Sequence, residues 1–261
     1  MMKKFFSMVA IATIGTILSC QTEDGLVSKQ DISPETISKI QGLGFSAHNV
    51  QAVDGGYLVE GDILLHESDL NGGHNPKYLV IAETEQYRTT NLVNAPRTIT
   101  VSMDSKIPSS YVAALDEALS RYNAQNLNIT FQRVSSNGNI KIVKGNGNFL
   151  ASAGFPTNGG SPYGQVKINV KAIGNQPLGT VATIIAHEIG HCIGFRHTDY
   201  MNRSYSCGGA ASNEGASTVG AIHIPGTPTG PDNGSWMLSC IGSGQNRPFN
   251  NNDKTALSYL Y

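Results

Sequence analysis

His187-Glu188-Ile189-Gly190-His191-Cys192-Ile193-Gly194-Phe195-Arg196-His197 is the stretch from which the rest of this chain is read. Residues four apart lie on one helical face about one turn apart, so His187 and His191 can aim ring nitrogens at a single metal ion. A straight helix would carry His197 to another face. Glycine tolerates positive φ, so Gly194 lets the chain turn sharply and bring His197 back beneath the first two. Three neutral imidazoles with one open position is the donor set of a catalytic zinc, whereas structural zinc sites fill all four positions with protein ligands. Glu188 is displaced about 100° around the helix from His187, toward the water that the fourth position would hold. A carboxylate there can take a proton from the water as it attacks a carbonyl and return it to a leaving amine, while the zinc lowers the water's pKa and polarises the carbonyl.

The flanking sequence supplies a scaffold. Residues 178–193 are long and apolar enough for the helix, with Gly194 placed to stop it. Upstream, strand and helix alternate. Residues 97–103 alternate as a strand through Ile99, Val101 and Met103, and Pro108-Ser109 opens a helix carrying Val112, Leu115, Ala118, Leu119 and Tyr122 on one face. Further strands are expected at 128–134, 139–143 and 165–170, with a small-residue strand at 149–155. Residues 198–247 are rich in Gly, Pro, Asn and Ser with few periodic apolar residues, and a helix at 251–261 closes the chain.

HEIGHCIGFRH resembles the metzincin zinc-binding signature HExxHxxGxxH, and its HEIGH spelling resembles the bacterial dual-action HEIGH metallopeptidases. The resemblance spans 97–261 and implies an α+β fold: a metzincin-like catalytic domain with a twisted mixed sheet, two long helices, an irregular lower subdomain and a C-terminal helix. It implies a zinc endopeptidase with His187, His191 and His197 as metal ligands and Glu188 as general base. Ser235-Trp236-Met237 resembles the family's methionine turn, which makes Met237 the floor beneath the histidines. Residues 150–156 look like the edge strand along which family members bind peptides in antiparallel pairing. Two positions depart from related patterns. Ser239 stands where astacins place a metal-contacting Tyr, leaving Tyr200 and Tyr205 as candidate transition-state stabilisers, and Thr198 follows the third histidine. Asp199 either orients a ligand histidine or caps the following turn.

Ahead of the catalytic region lies a small α/β unit within 21–96. Ser33-Pro34-Glu35 starts a helix with Ile37 and Ile40 on its apolar face, ended by Gly42 and Gly44. Residues 57–60 and 63–65 form a strand interrupted near Gly61-Asp62, and 83–96 serve as a connector. Val59-Glu60-Gly61-Asp62-Ile63 resembles the Phe-x-Gly-Asp segment of astacin pro-peptides, which makes this unit pro-like and Asp62 a candidate latency ligand for the zinc. The competing reading is a bend whose Asp bonds its own backbone. His48, His66, His74 and His223 have no ligand spacing.

The amino terminus has a basic run, an apolar stretch over 5–18, and then Ser19-Cys20. The stretch is too short to span a bilayer, and a signal peptide is expected. Ile17-Leu18-Ser19-Cys20 resembles the bacterial lipobox, so residues 1–20 end at a cysteine expected to carry lipid. An exported lipoprotein at the outer membrane or cell surface, or a secreted protein, follows. Such a compartment permits one disulfide among Cys192, Cys207 and Cys240. Cys207 with Cys240 is the expected pair, Cys192 lying inside the helix, although the sequence does not fix it.

Composition agrees with this compartment. The chain has 261 residues, 29 of them Gly, only 14% charged residues and a net charge of -1. A near-neutral balance leaves no footprint for nucleic acid, and 39% hydrophobic residues is too many for a disordered chain. The expected partner is a protein or peptide substrate, with membrane contact only through the lipid anchor, and the chain is expected to be a monomer. Two other functions fit the motif: a zinc hydrolase acting on non-protein amides or esters, and a surface-binding protein that keeps its zinc without turnover. The second has no need of Glu188.

Overall fold

The computed structural model describes residues 32–43, 45–71, 86–215, 220–228 and 230–261. The expected signal segment, Cys20 and His74 lie outside these residues. Helix α1 (Pro34–Gly42) is followed by the short strands β1 (Gln51–Val53), β2 (Gly56–Val59) and β3 (Ile63–Leu65) and by α2 (Glu67–Asn71). After β4 (Tyr87–Arg88) come β5 (Arg97–Met103), α3 (Ser110–Asn123), β6 (Ile129–Arg133), β7 (Ile140–Lys144), β8 (Ala151–Ser152) and β9 (Gln165–Ile168). The chain continues through α4 (Val170–Ile173), α5 (Leu178–Cys192), α6 (Ser204–Cys207), β10 (Ile222–His223) and α7 (Asn251–Leu260). None of the described helices is long and apolar enough to cross a membrane.

The fold is mixed α+β, and a five-stranded sheet of order β6-β5-β7-β9-β8 organises it. Its first four strands run parallel and β8 pairs antiparallel with β9 at the edge. Alternation decides the buried face: Ile99 and Val101, Ile129 and Phe131, Ile140 and Ile142, Val166 and Ile168 all point into one core. The other face carries polar cross-strand pairs such as Thr98 with Thr130. Helix α3 contributes Leu115, Ala118, Leu119 and Tyr122 to that core at helical spacing.

Helix α5 is enclosed, with every residue from Thr180 to Cys192 buried. Its small residues make this feasible. Ala186 brings its carbonyl within 2.7 Å of the Tyr122 hydroxyl of α3, and a Cβ added at Gly190 would stand 2.5 Å from the Met237 sulfur. At the C-terminus Asn250 and Asp253 form a reciprocal cap on α7. Asp253 also accepts from Gln86 Nε2 at 2.6 Å and from the Trp236 backbone N–H at 3.3 Å, tying that helix to the turn below α5.

The N-terminal elements have a small core of their own. Strands β1, β2 and β3 form an antiparallel meander, and Ile40, Phe45, Val59, Ile63 and Leu65 pack together with Phe155. The bend expected at Gly61-Asp62 is present as two consecutive left-handed residues, Glu60 at φ 55° and Gly61 at φ 93°. Part of the expected connector is strand, because β4 pairs antiparallel with β10. The expected small-residue strand is shorter than its sequence span, with only Ala151–Ser152 in β8.

Candidate metal centre

Helix α5 presents His187 and His191 on one face, and the chain then reverses. Gly194 adopts φ 108°, and the Phe195 N–H closes the helix end on the Gly190 carbonyl at 2.9 Å. A side chain would be strained there and would also meet Leu92 at 2.8 Å. The turn delivers His197 beneath the helix. The His191 Nε2 atom then lies 3.0 Å from His187 Nε2 and 3.2 Å from His197 Nε2.

Each ring is held from its other nitrogen. His187 Nδ1 donates to the Trp236 carbonyl at 2.9 Å and His191 Nδ1 to the Phe195 carbonyl at 2.8 Å. A carbonyl only accepts, so these contacts fix the proton on Nδ1 and leave Nε2 as a lone pair. His197 Nδ1 donates to the Glu214 carboxylate at 2.9 Å. The geometry is that of imidazoles oriented by outer partners for a metal.

The fourth atom at this centre is a carboxylate oxygen. Asp62 Oδ2 lies 3.0 Å from His197 Nε2 and 3.5 Å from His187 Nε2. Asp62, His187, His191 and His197 form one buried group of ligand atoms. Burial disfavours charge on His197, yet Asp62 and Glu214 outweigh it and hold its pKa well above the usual imidazole range. Burial, with the neighbouring histidines, holds His191 well below it. An environment that favours positive charge on His197 takes up a proton or a cation, and metal binding displaces the proton. Three convergent imidazole nitrogens and a carboxylate therefore fit a divalent transition metal, and the nitrogen-rich set suits zinc better than calcium or magnesium.

Glu188 is 3% exposed, and its Oε2 has no hydrogen-bond partner among the described residues. Burial, and then the Asp62 carboxylate, push its pKa well above the usual carboxylate value. Such a buried, unsatisfied oxygen is costly unless something in the cleft uses it. It lines a cavity of about 230 Å³ together with His187, Asp62 and Ile184.

Met237 is buried below the helix, with its sulfur against Gly190, and its carbonyl accepts from the Thr198 N–H at 2.9 Å. Trp236 and Met237 form a turn, the Leu238 N–H reaching the Ser235 carbonyl. One turn thus holds both His187, through Trp236, and the residue after His197. Cys207 and Cys240 are joined by a disulfide, and Cys192 is a buried free thiol.

Asp199 does not orient a ligand histidine. Its carboxylate accepts from Ser239 at 2.8 Å and Ser206 at 2.5 Å, tying the segment after the methionine to that before the disulfide. The partner of His197 is Glu214, which no motif marks. Glu214 in turn lies against Arg203 at 3.2 Å and Arg196 at 3.9 Å, and Arg196 pairs with Glu60 at 3.1 Å. Arg196, Glu60 and Glu214 have fully buried side chains. Neither tyrosine candidate lines the cavity: Tyr200 packs edge-on against Tyr87, and Tyr205 is exposed.

The N-terminal segment reaches this centre by adding to the sheet edge. The Ala153 N–H donates to the Asp62 carbonyl at 2.9 Å and the Leu64 N–H to the Ala153 carbonyl at 2.9 Å, in parallel sense. Arg203 also donates to the Glu60 carbonyl.

The model of a family described as dual-action HEIGH metallopeptidase matches residues 73–261. No curated protein matches the sequence. Among solved structures, two of myroilysin are similar at 15% identity. One has a TM-score of 0.44 over 66% of this chain and 82% of that one, and the other 0.42 over 66% and 86%.

Proposed function

This chain belongs to the dual-action HEIGH metallopeptidases, and we propose from its site that it is a zinc-dependent endopeptidase of metzincin type. The observation that carries this reading is the pairing of three oriented imidazoles with a buried, unsatisfied carboxylate one residue along the same helix. His187, His191 and His197 hold the metal, and Met237 is the floor that keeps them in place. When bound, the zinc supplies Lewis-acid chemistry, lowering the pKa of a water and polarising the scissile carbonyl.

Glu188 accepts a proton from the attacking water and passes it to the leaving amine. Its enclosure beside the cleft supports that role, and a divalent cation held by the three histidines would favour its ionised, proton-accepting form. Peptides bind extended along 150–156, antiparallel to β8, where the edge offers unpaired backbone groups to a substrate strand. In the full chain that edge is taken by residues 62–64, and the Asp62 carboxylate stands beside the histidines. These contacts support Asp62 as a latency ligand and the N-terminal unit as a pro-segment. Cys20 as the lipid-bearing residue of an exported, monomeric lipoprotein completes the reading.

Mass spectrometry of products from a mixed peptide library tests it, run with and without a zinc chelator. Endoproteolytic products that vanish with chelation and return with zinc are expected. Cleavage insensitive to chelation, or turnover of non-peptide esters alone, would contradict it.

A further inference from the structure

The cavity beside His187 and Glu188 is lined by the Asp62 and Glu188 carboxylates, by apolar side chains and by two arginines, of which Arg203 is committed to Glu214. Leu150, Ile184, Leu238 and Ile241 line it, and Arg247 lines it with them. Its volume of about 230 Å³ falls below the roughly 300 Å³ at which small-molecule sites begin, and suits a single side chain. Strand direction tells which one. Leu150 and Ala151 stand at the N-terminal end of the edge strand, and an antiparallel peptide lays the residues after its scissile bond against that end. The cavity therefore receives the side chain that follows the bond being cut.

Arg247 is held in place by neutral groups. Its Nη1 donates to the Cys240 carbonyl at 2.7 Å and its Nη2 to the Gln245 Oε1 at 3.0 Å, while its backbone N–H reaches Thr183 Oγ1 at 3.0 Å. No carboxylate forms an ion pair with it among the described residues. The other arginines of this region differ: Arg196 pairs with Glu60, and Arg203 with Glu214. Asp199 acts on Arg247 only at a distance, because its own oxygens are taken by Ser206 and Ser239. Burial lowers the guanidinium's pKa somewhat, but arginine stays charged at any working pH. The result is an oriented, half-buried cation at a cavity whose walls suit methylene groups.

We propose that Arg247 is a specificity-determining residue that makes this cavity select an acidic side chain, glutamate or aspartate, immediately after the scissile bond. This rests on the endopeptidase reading. The apolar walls take the side-chain stem and the guanidinium takes the carboxylate, a charge-assisted contact in a partly water-excluded place. A neutral side chain of the same length leaves the cation without a counter-charge, and a lysine is repelled.

The test uses the full chain, zinc-loaded and activated by limited proteolysis, with peptides differing only in Glu, Gln, Leu or Lys after the scissile bond. We expect kcat/KM for Glu to exceed that for Gln by about tenfold to a hundredfold, the range of one hydrogen bond to a charged group. The ratio should shrink as salt is raised. Arg247→Met should bring it to within about twofold, and Arg247→Lys should retain part of it. Thermal unfolding of each variant checks the fold, and if Arg247→Met does not fold, the wild-type ratio and Arg247→Lys decide. Equal loss on all peptides in Arg247→Met with the ratio intact would make Arg247 a mere tether for Cys240 and overturn the proposal. Cleavage by the wild type without acidic preference would also overturn it, leaving the peptidase reading standing. No cleavage of any peptide would remove both.

Discussion

At the residue scale the decisive partner of the metal site is Glu214. A carboxylate on His197 Nδ1 fixes the ring and makes its other nitrogen a stronger donor to a metal. Glu214→Gln keeps an acceptor of similar shape but removes the charge, and metal affinity measured by chelator competition should fall about tenfold to a hundredfold. Unchanged affinity would reduce Glu214 to a partner of Arg203 and Arg196. This residue could not be read from the sequence. It lies in an irregular, glycine-rich stretch, 17 positions after His197, where neither helical nor strand spacing says which side chain turns inward. Asp199, two positions after His197, drew attention by proximity, yet its oxygens are occupied by serines. The histidines and Glu188 were legible because helix geometry and one glycine dictate where they point.

At the scale of elements, α5 shows how periodicity can find a helix without describing its surroundings. Its apolar run and Gly194 marked both the helix and its end, whereas its complete enclosure follows from the small residues Ala182, Ala186 and Gly190, past which α3 and Met237 approach. The strand expected at 149–155 is present but only two residues long as β8, since so short a pairing leaves no alternation from which its ends could be read. The cap of α7 carries a pH dependence. Burial pushes Asp253 up to about 7 against a normal value of 3.8, although hydrogen bonds from the Asn250 and Trp236 backbone N–H groups and from the Ser235 side chain oppose this. The folded state therefore holds its proton more tightly than the unfolded chain. This contribution to stability is fully present below about pH 4 and is lost as pH rises to about 7. Thermal unfolding midpoints across that window should drop more steeply for the wild type than for Asp253→Asn, which cannot ionise. Parallel curves would show that Asp253 keeps the same pKa folded and unfolded.

At the scale of the whole molecule, residues 60–64 join the N-terminal elements to the site by three kinds of contact: strand pairing with Ala153, the buried Glu60–Arg196 pair and the Asp62 carboxylate. The pairing is parallel, opposite to that proposed for substrate. The Val-Glu-Gly-Asp spelling made Asp62 visible in the sequence, but the role of Glu60 depends on Arg196, 136 positions away. Removing one partner of a buried pair is costly, so the Glu60–Arg196 pair holds in place the segment that carries Asp62. The full-length Asp62→Ala chain should cleave peptides without prior processing, and an unchanged latent enzyme would sink the latency assignment. The central claim is that Glu188 drives hydrolysis at a zinc centre held by three histidines. It is tested most directly by comparing peptide cleavage and bound zinc in the activated wild type and in Glu188→Gln. The account predicts equal zinc content with cleavage reduced by about a hundredfold or more, and equal cleavage by both proteins would contradict it.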